Sequence, residues 1–144
     1  MIASSQIRRV AVCLALTAML APLAAQLQTP PPDGPPPNRS ARLTLKQNRA
    51  SATGLIGGES HDRYVIQLPA GARVTIRTRS VANRASAMIS TSATFGAAEP
   101  AVFGANDRKT QTWTGVIPST ADYFIYVVAH PTAKYTLSVT VNGR

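Results

Sequence analysis

The chain has one cysteine, Cys13, in 144 residues. No internal disulfide can form, and thiolate metal sites and thiol catalysis in the exported product are excluded. Acids are scarce as well: six Asp and Glu stand against fifteen Lys and Arg, for a net charge of +9. Those six, Asp33, Glu59, Asp62, Glu99, Asp107 and Asp122, form no close cluster, which argues against a calcium loop. Only two histidines are present, His61 and His130, and two without a third ligand do not make a zinc site. There is no phosphate-cradling glycine loop, nucleophile elbow or paired-acid motif. No metal, no cofactor and no catalytic residue is therefore expected. Ser60-His61-Asp62 contains the letters of a hydrolytic triad, but contiguous residues on an extended chain point to opposite faces and cannot converge. The triplet reads as a surface turn leading into a strand.

Long apolar runs are also missing. The longest, Val10–Leu20, is too short to cross a bilayer comfortably. Arg8 and Arg9 precede it and Leu23-Ala24-Ala25 closes it in small residues, the layout of a secretory signal peptide over residues 1–25. Cleavage after Ala25 removes two arginines and leaves 13 − 6 = +7, with no membrane insertion afterwards. The expected location is the periplasm or the medium. Residues 26–39 form a proline-rich linker, with six prolines among the nine residues Thr29–Pro37, and such a tract is a semi-rigid spacer. Residues 40–144 are left for one folded domain, large enough to bury a core without crosslinks.

Within that domain the apolar period is two. Tyr135, Leu137, Val139 and Val141 alternate with Lys134, Thr136, Ser138 and Thr140, a half-buried strand. Residues 123–129 are apolar on both faces, as a central strand requires. With His130–Ala133 as the connection, the two read as a hairpin. Asp62–Leu68 and Arg73–Arg79 likewise read as a hairpin closed at Pro69-Ala70-Gly71. Arg42–Lys46 reads as a first strand, Asn48–Ser51 as a turn, and Ala52–Ile56 as a weak strand with a possible bulge at Gly54. Residues 87–91 read as a further strand. Ala101–Phe103 makes a short edge strand, Gly104–Lys109 a polar turn, and Thr110–Ile117 a strand carrying Trp113 into the core. About eight strands and no helical period predict an all-β domain: a single antiparallel β-sandwich, jelly-roll-like, behind an N-terminal signal helix. Charge or proline on the edge strands predicts a monomer.

Two surfaces are candidates for binding. Arg73, Arg77 and Arg79 point outward from one strand, and Arg63 joins them if the hairpin closes, giving a guanidinium patch for an anionic chain. Arginine outnumbers lysine twelve to three, which favours bidentate contact with carboxylates or phosphates. An exported protein does not meet nucleic acid, so the partner is an unidentified protein or an anionic envelope polymer. The second surface is Phe124, Tyr126 and Val128, outward on a central strand, with a loop or the N-terminal segment expected to cover it.

Residues 62–76, Asp-Arg-Tyr-Val-Ile-Gln-Leu-Pro-Ala-Gly-Ala-Arg-Val-Thr-Ile, resemble the D-x-Y-x-F-x-L-P-A-G-x-x-V-x-I segment of the bacterial pre-peptidase C-terminal domain family. Ile117-Pro118 through Val127, with residues 134–139, resemble that family's closing L-P-x-x-G-x-Y-x-I-x-V and Y-x-L-x-V. The pattern is similar, too, to the periplasmic inhibitors of goose-type lysozyme. Ala121 stands where both families place glycine, and Tyr126 stands where the inhibitors carry arginine. Either resemblance implies a small β-sandwich that binds and does not catalyse: an interaction module or, alternatively, a periplasmic inhibitor of a goose-type lysozyme.

Overall fold

The computed structural model describes residues 36–97 and 103–143. The expected signal peptide, most of the proline-rich spacer and the positions Ala101 and Val102 lie outside the described residues. The strands are β1 (Arg39–Arg42), β2 (Arg49–Ile56), β3 (Asp62–Leu68), β4 (Arg73–Ser80), β5 (Ala85–Ser90), β6 (Gly104–Asp107), β7 (Thr112–Val116), β8 (Ala121–Ala129) and β9 (Ala133–Asn142). They form a four-stranded sheet ordered β1-β3-β8-β5 and a five-stranded sheet ordered β2-β9-β4-β7-β6. The pairing is antiparallel throughout, except that β1 runs parallel to β3. The domain is the expected β-sandwich.

The alternation read from the sequence fills the space between the sheets. β3 contributes Tyr64, Ile66 and Leu68, β4 Val74 and Ile76, and β9 Leu137 and Val139, all buried. Each such aliphatic side chain contributes roughly 1.5–3 kcal/mol by leaving water. β8 lies between β3 and β5, the central position that its two apolar faces require. Trp113 is in the core, with Phe103 edge-on at 5.7 Å between ring centroids. Its indole lies where side chains at Gly104 and Gly115 would stand, since a Cβ there would meet it at 2.3 and 2.5 Å.

Both expected hairpins are instead crossings between sheets. β3 and β4 lie in different sheets, and so do β8 and β9. Among the described strands only β6 and β7 are both consecutive in the chain and neighbours in one sheet. The turn at Pro69-Ala70-Gly71 gives its donors to the neighbouring crossing: Gly71 N–H to the Ile117 carbonyl (2.7 Å) and Ala70 N–H to Thr120 Oγ1 (2.9 Å). Ile117 N–H returns to the Ala72 carbonyl at 2.9 Å. Alternating strands that face each other across a sandwich bury the same face as strands paired in a hairpin, so the pattern alone does not separate the two.

Smaller corrections follow from the same register. The first strand is Arg39–Arg42 and not Arg42–Lys46; Leu43 and Leu45 still pack against the core as part-buried residues. The first turn falls on Gln47 and Asn48, both left-handed (φ 49° and 61°), and Arg49–Ser51 already belong to β2. Gly54 makes no bulge: β2 pairs β9 without interruption, and a Cβ at Gly54 would meet the Tyr135 ring at 2.6–2.7 Å. The stretch read as a polar turn holds β6. β1, β2 and β6 carry charge, but the edge strand β5 carries neither charge nor proline.

Candidate binding surface

On β4 the period of two sets Arg73, Arg77 and Arg79 on the solvent face of the five-stranded sheet. Residues two apart on a strand stand about 7 Å apart, so this row spans about 20 Å. Around Arg77 and Arg79 its neighbours are hydroxyls, whereas Arg73 stands between Val116 and Asn142. Arg77 pairs across to Ser138 and Thr112, and Arg79 to Thr136, while Thr75, between Arg73 and Arg77, faces Thr140 and Thr114. β9 adds Lys134 on the same face and β2 adds Arg49. The result is a flat, hydroxyl-rich field with five cations. The one carboxylate on this sheet's edge, Asp107, accepts from Thr110 Oγ1 and Lys109 N–H, both at 2.9 Å. Those bonds, Thr110's first, hold its pKa below the usual carboxylate value. No ion pair joins the arginine row to an acid among the described residues.

Arg63 does not join the row. It sits on β3 in the other sheet, about 10 Å away through the core. Its guanidinium donates to the Ala93 carbonyl (2.8 Å) and to Ser40 Oγ (3.1 and 3.2 Å). It thereby ties the loop after β5 to the start of the fold. Tyr126 is buried at 1% exposure, so the covered arrangement is the one found. Its hydroxyl donates to the Ser92 carbonyl at 2.7 Å, and the Phe95 ring lies 5.3 Å away. Burial pushes the Tyr126 pKa up.

The triplet Ser60-His61-Asp62 is not a surface turn. His61 and Asp62 are both buried, and each of the three has a separate partner. Ser60 Oγ donates to the Gly57 carbonyl (2.7 Å). The His61 ring stacks on Phe95 at 4.2 Å beneath the loop, and Nδ1 has no hydrogen-bond partner among the described residues. Burial, then the nearby Arg63 charge, lowers the His61 pKa. Asp62 turns the other way, into the sandwich, where its carboxylate accepts from the Tyr135 hydroxyl and from Asn38 Nδ2 (3.3 Å). The Tyr64 and Tyr135 hydroxyls stand 2.6 Å apart. Burial raises the Tyr135 pKa, and the bond to Asp62 raises it further. Among the described residues no three His, Cys, Asp or Glu side chains gather as metal ligands.

This polar cluster underlies a feature that the sequence reading missed. At the Arg79 end of the cationic face an open groove of about 730 Å³ has Tyr135 in its wall, with Arg39, Arg79 and Lys134 around it. Arg39 donates to the Thr53 carbonyl at 2.7 Å, which holds β1 against β2 across the gap between the sheets. These residues are far apart in the chain, and only the register β2–β9–β4 with β1 across the gap assembles them. A second cavity, of about 400 Å³, lies between the β5 and β6 edges and is lined by Met88, Phe95, Trp113 and Tyr126.

No protein-family model matches the chain, and no curated protein matches its sequence. Solved structures do. PliG of Aeromonas hydrophila, a periplasmic lysozyme inhibitor of g-type lysozyme, superposes with a TM-score of 0.62 at 21% identity, over 72% of this chain and 96% of that one. The PliG of Salmonella Typhimurium gives 0.54 at 16% identity over 72% and 99%. The pre-peptidase C-terminal domain of a collagenase from Bacillus anthracis gives 0.51 at 16% identity over 75% and 100%. The chain has the fold these domains share. Both resemblances read from the two sequence segments therefore describe its architecture.

Proposed function

We propose that this chain is an exported, non-catalytic binding module whose five-stranded sheet holds an anionic envelope polymer on its solvent face. The observation that carries the reading is the row Arg73, Arg77 and Arg79, with Ser and Thr hydroxyls around Arg77 and Arg79 and with Arg49 and Lys134 beside it. Guanidinium groups at this spacing can take carboxylates or phosphates bidentately, and the hydroxyls can take sugar or ester oxygens between them. Export follows from the signal layout of residues 1–25, and the periplasmic inhibitors of the same fold agree with it. The test is retention on alginate, a polyuronate, and on isolated cell-wall sacculi, across a salt series. Binding is expected to fall with salt, as exposed ion pairs are screened. The triple variant Arg73→Ala, Arg77→Ala, Arg79→Ala is expected to lose it. Full retention by that variant overturns the proposal.

A second reading is inhibition of a goose-type lysozyme, favoured by the superposition over 96% of the Aeromonas hydrophila inhibitor. The high positive charge of this chain opposes a basic enzyme as partner. A lysozyme activity assay with nanomolar amounts of the protein separates the two: loss of activity establishes the inhibitor, and unchanged activity removes it.

A further inference from the structure

We propose that the groove beside Tyr135 is the docking site for a segment of a protein partner in which a carboxylate side chain stands next to an aliphatic or aromatic one. The inference rests on the chain's being a binding module, and it does not depend on polymer binding by the arginine row.

Charge comes first. Arg39, Arg79 and Lys134 reach the groove from three different strands, and no residue lining it bears a carboxylate. The nearby Asp62 is buried below, turned to Tyr135 and Asn38. None of the three cations is in an ion pair among the described residues; Tyr64 and the Asp62 charge below act on Arg39, while Arg79 and Lys134 present positive charge that an incoming acid can neutralise.

A polyanion alone does not explain the rest of the lining. Leu55 and Val81 are 55% and 76% exposed, two of the three large exposed hydrophobics among the described residues. Both border this groove. An apolar pair beside unpaired cations is the composition of a protein contact, where an apolar anchor excludes water from a charged one. A sugar or phosphate chain would gain little from it.

The backbone supplies an independent observation. Val81 opens the turn Val81–Asn83, in which Ala82 and Asn83 both take left-handed angles (φ 53° and 52°). Asparagine tolerates that region, but alanine rarely enters it. The turn is pinned in place: Asn83 Nδ2 donates to the Lys109 carbonyl (3.0 Å), Arg84 N–H to the Val81 carbonyl (3.3 Å), and Ala85 N–H to Ser80 Oγ (2.8 Å). Val81 is thus held out in solvent beside Arg79. A strained conformation that keeps an apolar side chain exposed points to a use for it.

A random peptide library displayed on phage, panned on the purified protein, tests this directly. Selected peptides are expected to carry Asp or Glu next to Leu, Ile, Phe or Trp. A synthetic copy of the best one should bind about tenfold more weakly to Arg79→Ala and to Val81→Ser, the size of effect seen at interface anchors. Arg73→Ala, at the far end of the same sheet face, should bind it as the parent does. Each variant's melting curve is recorded alongside, and all three positions are exposed, so folding is retained. Weakening by Arg79→Ala without weakening by Val81→Ser means that the groove takes polyanions only and overturns the proposal. Equal weakening by Arg73→Ala, or selected peptides lacking carboxylates, also overturns it. Alginate retention measured on the same variants fails or holds separately, which keeps the two proposals distinct.

Discussion

One inner strand of each sheet, β8 and β4, turns a different kind of side chain outward, and the two outer faces are finished differently. β8 of the four-stranded sheet points Tyr126 outward, and the loop after β5 closes over it: Ser92 accepts its hydroxyl, Phe95 packs on its ring, and Arg63 ties down Ala93. β4 of the five-stranded sheet points Arg73, Arg77 and Arg79 outward, and they stay exposed. An aromatic on an outer face needs a cover to leave water, whereas guanidinium groups are stable in water and remain available to a ligand. The cover makes a second small core outside the sandwich; the open face stays in water.

Breaking the cover should therefore cost far more than altering the open face. Tyr126→Ala is expected to lower unfolding stability in urea by about 3–5 kcal/mol, the usual cost of removing a buried aromatic. The same measurement on Arg77→Ala should show no change of midpoint. If Tyr126→Ala were as harmless as Arg77→Ala, the covered face would not be a core. Between the sheets, Tyr135→Phe removes the hydroxyl that donates to buried Asp62 and is expected to cost about 1–3 kcal/mol, the penalty for a stranded polar group. Chemical denaturation measures it.

Proton linkage sharpens the contrast further. Burial lowers the folded pKa of His61, so the unfolded chain takes up the proton first as the pH falls. Stability present above the ordinary histidine value, about 6.5, is then lost as the pH drops toward the folded value. Melting temperatures between about pH 7 and 5 should show this slope, and His61→Phe, which keeps the stack on Phe95, should flatten it. The smallest effect belongs to the exposed bidentate pair Arg42–Asp122, at 2.6 and 2.9 Å. Arg42 holds the Asp122 pKa low, yet such surface pairs contribute little to stability. Asp122→Asn should melt with the parent at neutral pH.

Most of the strands were legible because one face of each had to be greasy: the alternation in residues 64–68, 74–76 and 135–141 needs no other information. The pairing was not legible, since a crossing at Pro69-Ala70-Gly71 and a hairpin there bury the same residues. That error carried Arg63 into the arginine row. The row itself needs only the period of β4, so Arg73, Arg77 and Arg79 share a face in the structure as in the sequence. The groove stayed hidden for the opposite reason. Arg39, Leu55, Val81 and Lys134 are each unremarkable in their own stretch and meet only through the register of four strands. His61 and Asp62 misled because polar letters beside a glycine pair suggest a surface turn. Phe95, from a loop with no pattern, and Tyr135, from the last strand, are what bury them.

β9 ends the described chain yet lies in the middle of its sheet, between β2 and β4. During synthesis β2 and β4 both emerge before the strand that joins them. β4 can pair with β7 before β9 is made, but β2 has no other strand partner and waits for residues 133–142. Contacts this distant in sequence slow assembly and leave the unfinished chain open.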